Sequence, residues 1–395
     1  MLFIVAIDVL LNGTKTPIDK HVFVALLENS VAQTYTGYGR ALASSSIAFS
    51  DLVALSRHGD IPFTLFFAPL PFVESQIRAK TSKLLSGVSK TTFSINSRTR
   101  VDLRDVELIV KDLLRKQELL KKHDRSLAKN DIVGLLAKPG RTVEADASRL
   151  MSALGLGGEA LRASRDKSAA LALMIDGLEA NQVLVSQSVS NFMPQRLSGV
   201  KFSGMTIKDT KVPYIFLAGG DPGDNQEPTG RRVFTLALMS VLVARRIFAP
   251  VTYDGSSIGT DVGREYDIVG AMLMPADLVC SLDLKDLADI KAAADKFKVT
   301  PSALTVRAMR LRTIDRETAV AHLDLLAREY ASRPKATARQ PKAVNAVRKY
   351  NGREFSTRML EALDGGRLSR REFCRSVCLN HIKPSEIDEF RRALR

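Results

Sequence analysis

The feature that most constrains this chain is GRRVFTLALMSVLVARRIF, running from Gly230 to Phe248. It opens on the charged Arg231-Arg232 pair and then carries no charge from Val233 to Ala244. A segment of that composition predicts a helix buried in a core. It contains no His, Glu or Cys, so it brings no metal ligand or general base of its own. Whatever the chain folds into has to enclose it.

With 395 residues, 45% of them hydrophobic, the chain can bury a sizeable core and has room for two or three domains. Charged residues at 26% argue against disorder. No uninterrupted apolar run approaches the ~18–20 residues of a membrane span, so no membrane role is expected. MLFIVAIDVLL at the start lacks a basic n-region and is broken by Asp8, which predicts a buried strand over a signal peptide. Three cysteines, Cys280, Cys374 and Cys378, make no disulfide framework, and a reducing cytoplasmic setting is expected. The net charge is +15, and Ala331–Arg395 supplies +9 of it, from 16 Lys/Arg against 7 Asp/Glu. A tail of that kind fits contact with nucleic acid or an acidic partner, or a solvated surface.

Along the chain, GDIPFTLFFAPLP (Gly59–Pro71) predicts an extended segment leaving a helix. Apolar residues at three- and four-residue spacing predict a helix over 101–123, and Ile132–Ala137 and Val143–Leu154 continue the helical pattern. RDKSAALALMIDGLEAN predicts a helix closed near Asn181 by a left-handed cap. VLVSQSV, Val200–Ile207 and Val212–Leu217 predict strands, the last of them interior to its sheet. EYDIVGAMLMPADLV predicts a second buried helix stopped near Pro275. Thr300 and Pro301 suit the N-cap and first turn of a new helix, and Ser369 with Glu372 fits a capping box.

Zinc peptidases of the HExxH type place two His at i and i+4 on one helical face, with a Glu between them as general base. The five His of this chain, at 21, 58, 123, 322 and 381, are never four apart. Asp221 and Asp224 in a turn-rich loop read as turn chemistry. Cys374, Cys378 and His381 have the spacing of a metal corner without a fourth ligand nearby, and buried thiols are the better reading. The helix pair around Val299 also permits a helix-turn-helix, with Arg307, Arg310 and Arg312 on its second helix.

FTLALMSVLVA resembles the FTLAHELGHLL helix of the ImmA/IrrE family of metallopeptidase-like proteins. FSGMTIKDTKVPYIFL is similar to that family's strand pair, and GRRVFTLA to its approach to the active helix. AMLMPADLV, FKVTPSALTVRAMRL, the tail NGREFSTRMLEALDGGRLSRREFCRSV and the upstream IPFTLFFAPLP resemble further segments in the same order. The likeness covers much of residues 50–395 and is strongest from about 165 to 380. It implies an α+β fold with a small zincin-like core, a short sheet plus two central helices, flanked by helical N- and C-terminal regions. Domains are then expected at 1–100 (a remnant of a helix-turn-helix domain), 101–164, 165–332, a linker at 333–342, and a basic helical region at 343–395.

Carried over position by position, the first ligand His falls on Leu238, the catalytic Glu on Met239 and the second ligand His on Leu242. The third ligand falls near Val262, with Asp261 and Glu265 flanking it. The resemblance therefore implies a pseudo-metallopeptidase with no catalytic residue, no metal and no cofactor, its former cavity packed with hydrocarbon. Burying two Leu there is worth roughly 3–6 kcal/mol. It further implies action by binding a repressor-like or other regulatory protein in a phage, mobile-element, toxin-antitoxin or stress-response circuit. Two alternatives stay open: an active zinc metallo-endopeptidase with atypical ligands such as Asp261 or Glu265, and a DNA-binding transcription regulator. The second would use Arg348, Lys349, Arg353, Arg370 and Arg371 of the basic tail.

Overall fold

The computed structural model describes residues 6–28, 30–84, 93–94, 103–197, 202–220, 226–252, 263–284, 286–332 and 341–395. The chain divides into two compact units, Met1–Ser86 with Val101–Asp112, and Gly87–Arg100 with Leu113–Arg395.

The first unit begins with strands β1 (Ala6–Leu11) and β2 (Thr14–Asp19), joined by Asn12-Gly13 at φ 50° and 80°. Asn-Gly tolerates positive φ at both turn positions, which is what a two-residue hairpin needs. Strand β3 (Ser46–Ala48) lies parallel to β1 on its other side. Ile7 and Val9 are buried while Asp8 between them is half-exposed, the alternation of a strand with one face on a core. Helices α1 (Lys20–Glu28), α2 (Thr36–Ser44), α3 (Phe49–His58) and α4 (Leu70–Leu84) complete the region read as a helix-turn-helix remnant. Its core gathers Phe23, Leu27, Leu52 and Phe66 with the strand residues. GDIPFTLFFAPLP is not extended as expected. Pro62, at φ −59°, starts a 3₁₀ turn over Phe63–Phe67, in which the amides of Leu65 and Ala68 reach the carbonyls three residues back. Helix α5 (Leu103–His123) contributes its residues through Asp112 to this unit and the rest to the second.

In the second unit, α6 (Val143–Ala153), α7 (Gly158–Ala163) and α8 (Lys167–Ala180) precede a five-stranded mixed sheet. Its strands are β4 (Phe93–Ser94), β5 (Leu184–Gln187), β6 (Phe202–Ile207), β7 (Tyr214–Leu217) and β8 (Pro250–Thr252), in the order β4-β8-β6-β7-β5. β5 and β7 are parallel, and β6 is antiparallel to both β7 and β8. Strand β7 is interior, as its unbroken YIFL suggests. Helix α9 (Thr229–Ala244) packs on β6 and β7, and on α8 and α10 (Arg264–Leu273). A helix held from both sides has no solvent face, hence its lack of charge after Arg232.

Two readings fail near this core, for identifiable reasons. Ile132–Ala137 is a set of turns, not helix. Asn130 Oδ1 accepts from the amides of Ile132 and Val133, and the amides of Gly134 and Leu136 donate to the carbonyls of Val243 and Ala244 at 3.4 and 2.8 Å. The buried C-terminus of α9 needs partners for its last carbonyls, and this loop supplies them. Asn181 closes α8 at φ −104°, and it is Gln182 that takes the left-handed conformation, at φ 56°.

The remaining helices are α11 (Ala276–Cys280), α12 (Leu287–Lys296), α13 (Pro301–Arg310), α14 (Arg316–Ala331), α15 (Ala343–Asn351), α16 (Arg353–Asp364), α17 (Arg370–Glu372) and α18 (Ile387–Leu394). Thr300 caps α13 through the Ala303 amide with Pro301 in its first turn, and Ser369 and Glu372 form the expected capping box. Helix α15 lies along β5, the edge strand. The molecule is a mixed α+β protein, predominantly helical, and none of its described helices is long and apolar enough to cross a membrane.

Candidate functional site

Gly230 begins the geometry. A Cβ there would meet the backbone of Val299 and Thr300 at 2.6–2.8 Å, so the first turn of α9 sits directly on the α12–α13 turn. Two turns further on, Leu238, Met239 and Leu242 have no exposed surface. They share one hydrophobic cluster with Leu236, Ile268, Val269 and Met272, so α10 packs over the same interior. Met239 lies against β6, where a Cβ on Gly204 would fall 2.9 Å from its Sδ and Cε. Gly204 and Met239 are therefore in contact, thioether on backbone.

The third ligand position, Val262, and its neighbour Asp261 lie outside the described residues, as do Asp221 and Asp224. Glu265 is described, and its carboxylate pairs with Arg245 at 2.9 Å, one turn beyond Leu242. Among the described residues no three His, Cys, Asp or Glu side chains stand together as a metal site. Cys374 and Cys378 are buried, and burial pushes both thiols up. His381 stacks at a tilt on Phe192 at 5.1 Å, and burial lowers its pKa.

The arginines of α13 do not form a recognition surface. Arg307 is buried, with Nε donating to the Met274 carbonyl at 3.2 Å, and Arg310 pairs with Asp267 at 2.6 Å. Both tie α13 to the α10–α11 region, which corrects the helix-turn-helix reading of that pair.

Polar chemistry gathers instead at the N-terminal end of α9, beside the C-terminal ends of β5 and β7. Ser203 Oγ donates to Glu227 Oε1 at 2.6 Å, and burial raises the Glu227 carboxyl despite that bond. Arg232, only 8% exposed, donates to Gln187 Oε1 at 2.7 Å. Lys349 Nζ reaches the Gly220 carbonyl at 3.3 Å, bringing the C-terminal region to the same end of the sheet.

Of the five basic residues proposed for nucleic acid, Arg348, Lys349 and Arg353 line one cleft of about 980 Å³ between α8, β5 and the α15–α16 corner. Arg370 and Arg371 belong to α17, beyond the far end of α16, a helix that spans ~18 Å at 1.5 Å per residue. Arg370 and Arg371 are not among the described residues that line the cleft.

Sequence reasoning missed Glu179, which organises the cleft floor. Its carboxylate is 4% exposed and accepts from the amides of Arg353 and Glu354 at 3.1 and 3.0 Å, closing the N-terminus of α16. Its other oxygen takes the outward amide of Val185 on the edge strand at 3.4 Å. Burial pushes the carboxyl up to about 7, against the pull of those donors. Gly352, at φ 82°, lets the chain pass over Glu179 and the Val185 carbonyl, where a side chain would collide. The available signal was Asn351-Gly352, a helix-stop pair directly followed by a new helix.

No protein-family model, curated protein or solved structure matches this chain.

Proposed function

We propose that this protein works by binding a regulatory protein partner and performs no metal-dependent hydrolysis, as a degenerate ImmA/IrrE-like chain on a zincin-like core. The observation that carries this reading is the packing of α9. Leu238, Met239 and Leu242 are each wholly buried, and Met239 sits on the Gly204 backbone. A metal and its water would have to displace that hydrocarbon, and close-packed interiors leave no room for them without rearrangement. The setting that fits is a phage, mobile-element, toxin-antitoxin or stress-response circuit, with a repressor-like partner.

The test is elemental analysis of the purified protein together with a proteolysis assay with and without chelator. A metal-poor protein that captures a specific protein from its host is the expected result. Stoichiometric zinc with chelator-sensitive proteolysis overturns the proposal.

A further inference from the structure

We propose that the cleft between α8, β5 and the α15–α16 corner receives an acidic, aliphatic segment of a partner protein, with Arg348 and Arg353 gripping its carboxylates. This rests on the binding reading above and names the partner's chemistry.

Arg348 and Arg353 are exposed on one wall, five residues apart across the Gly352 corner, and both line the cavity with the half-buried Lys349. The opposite wall mixes Ala172 and Ile175 of α8 with the exposed Asp176 of the same helix, the buried Glu179, and Ser190 and Asn191 beyond β5. Among the described residues no aromatic side chain lines the cavity. Single-stranded nucleic acid is held by cations together with aromatic stacking platforms; this cavity has the cations and lacks the platforms. Its volume of about 980 Å³ suits a short peptide and cannot admit a duplex. Arg348, Lys349 and Arg353 face one exposed side-chain carboxylate, that of Asp176, since Glu179 is taken by backbone amides. Ala172 and Ile175 add an aliphatic strip, and that balance matches a segment carrying both acidic and aliphatic residues.

Strand addition is not the mode of capture. The outward amide of Val185 is taken by Glu179, and α15 lies along β5 with its Tyr350 carbonyl accepting from Ser186 Oγ, so this edge is covered by a helix. Side chains must supply recognition. The larger cleft, about 1130 Å³ at the N-terminal turns of α8, α9 and α13, is a poorer candidate. Two of its lysines are matched within it, Lys167 with Asp295 at 2.6 Å and Lys291 with Glu329 at 2.7 Å.

The test uses the full chain and a fluorescein-labelled hexapeptide of alternating glutamate and leucine, followed by anisotropy. Its lysine-leucine counterpart and a labelled dT hexamer serve as competing probes. Saturable binding of the acidic peptide is expected, weakened at least tenfold by Arg348→Glu/Arg353→Glu and unchanged by Arg370→Glu/Arg371→Glu. Arg348 also donates to the Ala393 carbonyl at 2.6 Å, so Arg353→Glu alone is the second variant, with melting curves taken for each. Equal binding by the folded Arg353→Glu and double variants overturns the proposal, as does tighter binding of the dT hexamer or no saturable binding of the acidic peptide. A metal-free protein whose host partner still binds the double variant would sink the cleft and leave the binding reading standing. Stoichiometric zinc would do the reverse.

Discussion

The middle of α9 and the α15–α16 corner were both singled out by the sequence, and the fold treats them oppositely. At Leu238, Met239 and Leu242 every side chain is enclosed, and the contacts are hydrocarbon on hydrocarbon or thioether on backbone. At the corner, one buried carboxylate holds three backbone amides while arginines on the rim face solvent. The first region can stabilise the core but offers nothing to a ligand. The second spends a desolvated charge to hold two segments together and leaves a charged cleft open. The proposed recognition cleft therefore lies at the edge of the sheet, and the helix packed on the sheet is its foundation.

The largest expected effect breaks that contrast directly. Placing the residues of the resembled zinc helix here, as Leu238→His/Met239→Glu/Leu242→His, sets three polar groups where packing alone now exists. Each unpartnered buried group costs roughly 2–3 kcal/mol before lost packing is added. The total, on the order of 6 kcal/mol or more, consumes much of a domain's usual stability. Urea unfolding of this variant should show collapse of stability without zinc. A variant as stable as the wild type in chelator would mean that the α9 interior still has a usable cavity.

How much of this was legible follows the same division. Helix α9, its partner α10 and the strands β5, β6 and β7 were readable because periodicity and turn residues report burial locally. So were the caps at Thr300 and Ser369, where donor and acceptor lie within three residues. The Ile132–Ala137 loop was misread because its apolar residues and helical spacing are real, while its amides are claimed by carbonyls over a hundred positions later. Glu179 was invisible for the same reason, since its partners at 353 and 354 are remote in sequence. The basic tail advertised charge but not which of its residues would line a cleft. Asn12-Gly13 was a readable hairpin signal that went unused.

Glu179 sharpens the comparison through pH. Its folded value, about 7, lies above the ordinary carboxylate value of 4.5, so the folded state holds the proton more tightly. Stability from this group is fully present below the unfolded value and falls as pH rises towards 7, then stays level. The span amounts to about 3 kcal/mol at most, at ~1.4 kcal/mol per unit. Asp124 and Asp209 act in the opposite sense, because Arg358 and Lys121 with nearby donors hold them below their usual range, but they act only at lower pH. His123 and His381, which burial holds below the ordinary imidazole value, lose stability as pH falls through that range and oppose Glu179. The reading is therefore the difference between two proteins: from pH 8 to pH 5 the wild type should gain melting temperature relative to Glu179→Gln. An unchanged slope in the variant would remove Glu179 from the account.

Gly204→Ala probes the other region at smaller scale. The added methyl meets the Phe216 carbonyl and the Met239 thioether, and overpacking of this kind costs about 1–3 kcal/mol. Met239→Ala opens a cavity and costs about 2–5 kcal/mol alone, but its cost should be smaller in the Gly204→Ala background, since one of the two collisions then disappears. Chemical denaturation of the single and double variants gives the coupling. Strict additivity would show that Met239 does not rest on Gly204 in solution.

The smallest effect lies where α9 meets its neighbours, at Thr300. Its hydroxyl accepts from the Ala303 amide at 3.2 Å, and its backbone N lies 2.8 Å from where a Gly230 side chain would begin. Thr300→Ala removes the cap alone and should cost about 1 kcal/mol, while Thr300→Ser should restore it. Neither change touches the cleft, so binding of the acidic peptide should stay constant while the melting temperature drops by a few degrees. A loss of peptide binding with Thr300→Ala would mean that the start of α9 and the cleft are coupled. The foundation and the recognition edge would then be one cooperative element, and the separation drawn between them would fail.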